Sequence, residues 1–412
     1  MSIETLIFNR FIRQKNTGYT RPVVRIATIG VILSCVVMIF SVCISFGFKN
    51  EVSRQVFGVS GHLHIAPYQT TAQLPNPISR DSIDWEAINA FVATSSSWQY
   101  HKQAFATQIG LIKTDLYNHG IWLKGVNSEF DFSFLKSCLI EGKIPQLPDS
   151  SISNDVLISL TLAKKLHLNV GDKVRTYFVY QNDVKARAFN ICGVFESGFS
   201  TFDETMMIGD LRHIQRLNGW NIDEVSGFEI ILPQPSVREL PQYAKIFNGF
   251  LPLDLVAIPI TFKFPEIFNW LDLMDMNVVV ILVIMALVIA ISLISVFVVM
   301  IIEKTGEIGL FKTLGMSLAA IRRIFVWKVM YIAGKGLLIG NFIGLTLCLV
   351  QKYYPIFKLD ASVYYIKHVP IQFEWSWLIL CNIGTLVIIL LAVLLPSMAI
   401  GKIKEAEAVK FE

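Results

Sequence analysis

The sequence is poor in charge: Asp, Glu, Lys and Arg make up 17% of its 412 residues, and the net charge is only +4. No dense basic stripe appears, so no nucleic-acid partner is expected. Cysteine is scarce too. Six are present and no CxxC occurs. Cys35, Cys43, Cys348 and Cys381 lie in apolar stretches, where thiols behave as small hydrophobes. Cys138 and Cys192 fall in the polar middle, and one disulfide between them is open if that part meets an oxidising compartment. Catalytic motifs are missing. Ser60 sits in Gly58-Val59-Ser60-Gly61, which is not the GxSxG elbow. His62 and His64, two apart on an expected strand, would point the same way, but no HExxH and no third ligand accompany them; a surface pair is the simpler reading. Asp203-Glu204 and Asp223-Glu224 read as loop charges. A phosphate-binding GxxxxGK[ST] loop is absent: Gly334-Lys335-Gly336 has the dipeptide without the hydroxyl and lies in an apolar run. No catalytic residue, metal site or cofactor is therefore assigned. If ATP drives this chain, ATP and Mg bind a separate subunit.

What the sequence has is apolar length. Hydrophobic residues make up 53% of it, too many for an ordinary soluble protein and too few for an all-membrane one. A span of roughly 30 Å needs about 20 apolar residues. Four segments qualify, at 26–48, 277–302, 323–350 and 375–396. The first has 23 residues without charge, too long for a signal-peptide core, and reads as a retained anchor. Ahead of it, residues 1–25 place Ile3, Leu6, Ile7 and Phe11 on one helical face beside Arg10 and Arg13, which suits either an interfacial helix or an ordinary terminal one. Lysine and arginine concentrate before the first span, in the loop 303–322 and in the tail 397–412, so both termini are expected in the cytoplasm. Residues 351–374 form a short outer loop with a milder basic count. The stretch 49–272 is long enough for one or two soluble lobes. It alternates strand patterns (62–65, 155–158, 174–180, 189–194, 227–232) with helical ones (85–93, 160–166, 210–217), so an α+β domain is expected. The fold class is thus a membrane protein with four transmembrane α-helices and a large α+β extracytoplasmic domain.

The loop after the second span is the most informative short segment. In Glu303-Lys304-Thr305-Gly306-Glu307-Ile308-Gly309-Leu310-Phe311-Lys312-Thr313-Leu314-Gly315, the residues Ile308, Phe311 and Leu314 recur at helical spacing. Gly315 is placed as a C-terminal cap, and Ser317 as the N-cap of the next helix. A short helix exposing apolar side chains between charges suits docking into a partner's cleft, or rest on the lipid interface. In the third span, Gly336, Gly340 and Gly344 form a small-xxx-small series, for packing against this chain or a second one. Val31, Met38, Ile39 and Val42 on the first span could line an apolar lateral entry, or face bulk lipid.

The segment resembles the EKxxEIGxxxxLG signature of the FtsX-like ABC-transporter permeases, the superfamily of the Lol-type lipoprotein-releasing permeases and the MacB-type exporters. Gly306 stands where an arginine is usual. Further motifs are similar to the Lol-type branch: Arg25 to Gly30, Gly47 to Val52 and Gly61 to Ile65; Leu162 to Leu166 with Gly171-Asp172-Lys173-Val174; Tyr364-Tyr365 with Val369-Pro370; and Pro396 to Lys404 with Val409-Lys410-Phe411. The resemblance implies a MacB-like periplasmic core with an inserted lobe near 111–200. It implies an inner-membrane permease whose coupling helix, carrying Glu303, Lys304, Glu307, Ile308, Gly309, Leu310, Lys312, Leu314 and Gly315, contacts an ABC ATPase dimer. A second permease copy or paralogue, a lipoprotein cargo, a periplasmic carrier and membrane lipid complete the implied partners. MacB-like export of peptides or small molecules, and FtsX-like regulation of a cell-wall hydrolase, are the alternatives.

Overall fold

The computed structural model describes residues 20–68, 76–95, 98–114, 117–148, 150–180, 183–233, 235–360, 364, 366 and 368–398. The amphipathic stretch before residue 20, Tyr365 and the tail from residue 399 lie outside the described residues. Among the described residues, four helices are long and apolar enough to cross a membrane: Thr20–Ser60, Pro265–Glu303, Leu318–Tyr353 and Trp375–Ser397. The first three have 41, 39 and 36 residues, well beyond what the hydrocarbon requires at about 1.5 Å per residue. Contacts divide the chain into one unit of residues 1–49, 270–358 and 368–412, and another of residues 50–269 and 359–367.

The first unit is a helical bundle. Its buried cluster draws Val31, Cys35, Met38, Ile39 and Val42 from the first long helix, Leu293, Val296 and Phe297 from the second, Ile321, Phe325 and Val329 from the third, and Ile389 and Val393 from the fourth. Lipid is as apolar as these side chains, so close packing has to hold the bundle together. Glycine makes that approach possible. A Cβ on Gly336 would lie 2.7 Å from Val31 Cγ1, one on Gly340 2.7 Å from Cys35 Cβ, and one on Gly344 2.9 Å from Ile39 Cδ1. The glycine series therefore serves the third helix against the first helix of the same chain. Asn341 and Asn382 exchange side-chain hydrogen bonds at 2.7 and 3.1 Å, joining the third helix to the fourth. The segment before the fourth helix is fastened as well: the Gln372 amide donates to the Cys43 carbonyl at 3.1 Å, and Gln351 Nε2 donates to the Val369 carbonyl at 3.3 Å. Lys49 pairs with Asp275 at 2.7 Å and with Asp272 at 3.4 Å.

The second unit is built on strands β1 (Leu63–Pro67), β2 (Ile78–Ser79), β3 (His101–Lys113), β4 (Asn118–Val126), β5 (Leu139–Gly142), β6 (Asp155–Ser159), β7 (Lys173–Tyr180), β8 (Asp183–Phe195), β9 (Met206–Asp210), β10 (Glu224–Val225), β11 (Gly227–Ile231) and β12 (Leu255–Pro259). Ten form one sheet in the order β12-β1-β11-β3-β4-β9-β6-β8-β5, with β7 pairing both β3 and β8. The path β3-β4-β9-β6-β8-β7 thus returns to β3 and closes a ring. Long β3 joins two groups of strands. Residues 101–105 pair with β11 and residues 110–112 with β7. Strands from both ends of the unit extend the first half of β3, and the ring occupies the second half. The ring takes in β9, so it reaches past residue 200 to Asp210. One face is covered by the helix Leu211–Asn218, whose approach needs Gly125: a Cβ there would lie 2.6 Å from the Leu211 Cα.

Candidate functional site

The segment following the second long helix folds as a helix over Thr305–Thr313. Its end is set by Gly315 at φ +82°, a conformation that costs glycine nothing. The Met316 amide donates to the Phe311 carbonyl at 3.0 Å, satisfying a carbonyl the helix leaves unpaired. The Ser317 hydroxyl then accepts from the Ala320 amide at 3.3 Å and starts the third long helix. Four residues, 314–317, separate the two helices. Lys304 forms an ion pair with Glu307, aligned with the positive end of the short helix, which favours the carboxylate.

Its faces differ from the expectation. Ile308 is fully buried in the bundle with Gly309, packed in the cluster with Ile321 and Phe325. Leu310 and Leu314 are 56% and 75% exposed, and Phe311 is half-buried. The apolar outer surface is therefore Leu310 and Leu314 rather than the stripe of Ile308, Phe311 and Leu314. Glu303 stands exposed at the end of the second helix, Lys304, Glu307 and Lys312 are half-buried, and Gly315 is exposed.

The first long helix also corrects an expectation. Val31, Met38, Ile39 and Val42 are all buried against the other helices, because the close approach of the third helix draws this side inward. They do not face lipid or cargo in this chain. The outward residues are Ile26, Ile29 and Leu33.

In the second unit the structure shows a buried ionic site that the motif reading missed. Glu229 on β11 is 1% exposed. Lys124 Nζ on β4 donates to its two carboxylate oxygens at 2.7 and 2.9 Å, and Gln103 Nε2 on β3 donates at 2.7 Å. His64 Nε2 lies 3.2 Å from the same carboxylate. The site meets the end of the first long helix, whose last carbonyls have no partner within the helix. Lys124 Nζ donates to the Val59 carbonyl at 2.5 Å, His64 Nε2 lies 2.8 Å from the Ser60 carbonyl, and the Gly61 amide donates to the Phe57 carbonyl at 2.8 Å. An ammonium at that end also suits the negative pole of the helix dipole.

Lys263 Nζ lies 3.1 Å from His64 Nδ1. With Nδ1 accepting, the proton of the neutral ring sits on Nε2, where it faces two oxygens. Burial pushes His64 down to about 4, and the Lys263 charge adds to that. Burial alone takes His62 to about 4 as well. For Glu229, burial works upward, yet the Lys124 ammonium and the His64 hydrogen bond outweigh it and hold the carboxyl down at about 2. Burial lowers Lys263 to about 8. His62 and His64 are thus not the expected surface pair. His62 Nδ1 accepts from the Leu232 amide at 3.1 Å and its ring packs on Phe57. Among the described residues no group of three or more His, Cys, Asp and Glu side chains could hold a metal ion. Cys138 and Cys192 are free thiols. One signal for the ionic site was present in the sequence: Glu229 interrupts an otherwise apolar strand, Gly227-Phe228-Glu229-Ile230-Ile231, and a buried carboxylate needs a partner.

The sequence matches the FtsX-like permease C-terminal family over residues 279–404 and the MacB-like periplasmic core domain over residues 26–234. It is 22% identical to the lipoprotein-releasing system transmembrane protein LolC of Neisseria meningitidis serogroup B, over 100% of both chains. It is also 22% identical to the lipoprotein-releasing system transmembrane protein LolE of Haemophilus influenzae, over 96% of this chain and 95% of that one. Among solved structures, the periplasmic region of MacB from Actinobacillus actinomycetemcomitans aligns with 50% of this chain and 92% of its own at 12% identity, with a TM-score of 0.32.

Proposed function

The chain belongs to the FtsX-like permeases with a MacB-like periplasmic core, and from that premise we propose that it couples ATP hydrolysis on a partner ABC ATPase to the release of lipoproteins from the inner membrane toward a periplasmic carrier. The observation that carries this reading is the full-length similarity to relatives named for lipoprotein release. A permease role is common to that family.

In this reading both termini and the helix Thr305–Thr313 are cytoplasmic, and ATP and Mg bind the ATPase dimer. Leu310 and Leu314 enter a cleft on that partner, and Lys312 adds a charge beside them. A helix whose inner side is fixed by Ile308 and whose end leads through four residues into the third span passes a push on to the bundle with little slack. The first long helix carries residues of both units, and the ionic site at its end supplies a firm attachment to β1, β4 and β11. A second permease copy or paralogue completes the complex.

Two measurements test the reading. Leu310→Asp with Leu314→Asp should leave the chain inserted and folded but abolish co-purification with the ATPase; an intact complex would sink the docking assignment. Depletion of the protein should strand outer-membrane lipoproteins in the inner membrane. Normal lipoprotein sorting with lost tolerance to drugs or peptides would replace release by export.

A further inference from the structure

The first and third long helices meet at a constant offset. Val31 faces Gly336, Cys35 faces Gly340 and Ile39 faces Gly344. Each step adds four residues to both helices, about one turn. The next step brings Cys43 opposite Cys348. Both are fully buried, and the two thiols lie close enough to interact with one another. A disulfide needs Cβ atoms roughly 3.5–4.5 Å apart. The glycine one turn earlier shows how closely the two backbones approach beside this pair. Cys35 contrasts with this pair: it faces a glycine, and its thiol lies 3.8 Å from the Leu337 carbonyl.

We propose that Cys43 and Cys348 are an oxidative modification site, a thiol pair that closes to a disulfide and fastens the first long helix to the third. Packing alone would be served by alanine or glycine, as at Gly344. The oxidant is a small apolar disulfide able to enter the bundle. One cysteine thiolate attacks it, releases one small thiol and leaves a mixed disulfide. The second cysteine then attacks the protein sulfur of that mixed disulfide and releases the other small thiol. Two S–H bonds are exchanged for one S–S bond, and the small disulfide leaves as two thiols with both electrons and both protons. The closed pair would hold a third segment too, because the Cys43 carbonyl accepts from the Gln372 amide.

The test treats the full chain, in membranes with its partner subunits, with 2,2′-dipyridyl disulfide and maps the products by non-reducing digestion and mass spectrometry. The expected product is one linked peptide pair carrying Cys43 and Cys348, lighter by two hydrogens than the sum of the separate peptides and reversed by dithiothreitol. In Cys43→Ser and Cys348→Ser, the remaining partner should carry a pyridyl adduct instead. Separate pyridyl adducts on both cysteines of the unaltered chain, or two unreacted thiols, would overturn the proposal and leave the pair as small packing residues only. The chemistry is read from the peptides themselves, so its outcome does not depend on the cargo or on the transport reading.

Discussion

Replacing Lys124 by Met removes the ammonium from the buried site and leaves Glu229 among His64, Gln103 and the end of the first long helix. At 2.7 Å two unit charges attract by about 6 kcal/mol at an effective dielectric constant of about 20, and the desolvation of both ions takes much of that back. The variant carboxylate is relieved by binding a proton. From its ordinary value of 4.5, neutralisation at pH 7 costs about 2.5 pH units at 1.36 kcal/mol each, or about 3.4 kcal/mol. The orphaned Val59 carbonyl adds about 1 kcal/mol. The expected loss is therefore about 4 kcal/mol at pH 7, within the range of about 3–5 kcal/mol for breaking a buried pair. Its charge-dependent part should shrink to about 0.7 kcal/mol at pH 5, where the proton is easily bound. Lys124→Met combined with Glu229→Gln keeps donors and acceptors without charge and should recover all but about 1 kcal/mol. Amide hydrogen exchange on β1 and β11 of the full chain measures this. Protection should fall on the order of a thousandfold in the single variant at pH 7 and largely return in the double. Equal losses in single and double variants, or a loss in the single variant that does not change between pH 7 and pH 5, would refute the reasoning.

Gly340→Val should destabilise the bundle by about 1–3 kcal/mol through overlap with Cys35, read as a lower melting temperature in detergent; Gly334→Ala, with nothing within 4 Å of the added carbon, should not lower it. Acid should loosen β1 through His64 on the strand and His62 just before it. Each is held at about 4 when folded against an ordinary 6.5, so between those values the unfolded chain binds the proton first and stability falls as pH falls. From pH 7 to pH 5.5 the loss is about 1 kcal/mol per histidine, seen as faster exchange of the β1 amides and absent when both residues are glutamine.

The sequence made some of this legible and hid the rest for identifiable reasons. The long helices follow from apolar length. The end of the short helix follows from Gly315 and Ser317, whose backbone roles are local and chemically specific. The strands at 155–159, 173–180 and 227–231 follow from alternation. Which side of the first long helix is buried did not follow, because a helix that is apolar all round gives no sign of its inner face. Val31, Met38, Ile39 and Val42 differ from Ile26, Ile29 and Leu33 only in what packs against them. Ile308 misled for a related reason: its spacing with Phe311 and Leu314 marks one stripe, while the bundle takes up only part of it. The ionic site gathers residues from four separate parts of the chain, at 59–64, 103–124, 229 and 263, and no local pattern ties them together. Only the out-of-place charge of Glu229 pointed to it.

The end of the first long helix is gripped at three carbonyls of its last turn, those of Phe57, Val59 and Ser60, by donors from Gly61, Lys124 and His64. Fasteners arranged side by side share a pull along the axis, so all must fail together. A lone terminal bond would peel first and let the others follow one by one. Such a joint behaves as a riveted seam rather than a zip. Its weakest moment comes when Lys124 loses its counter-ion.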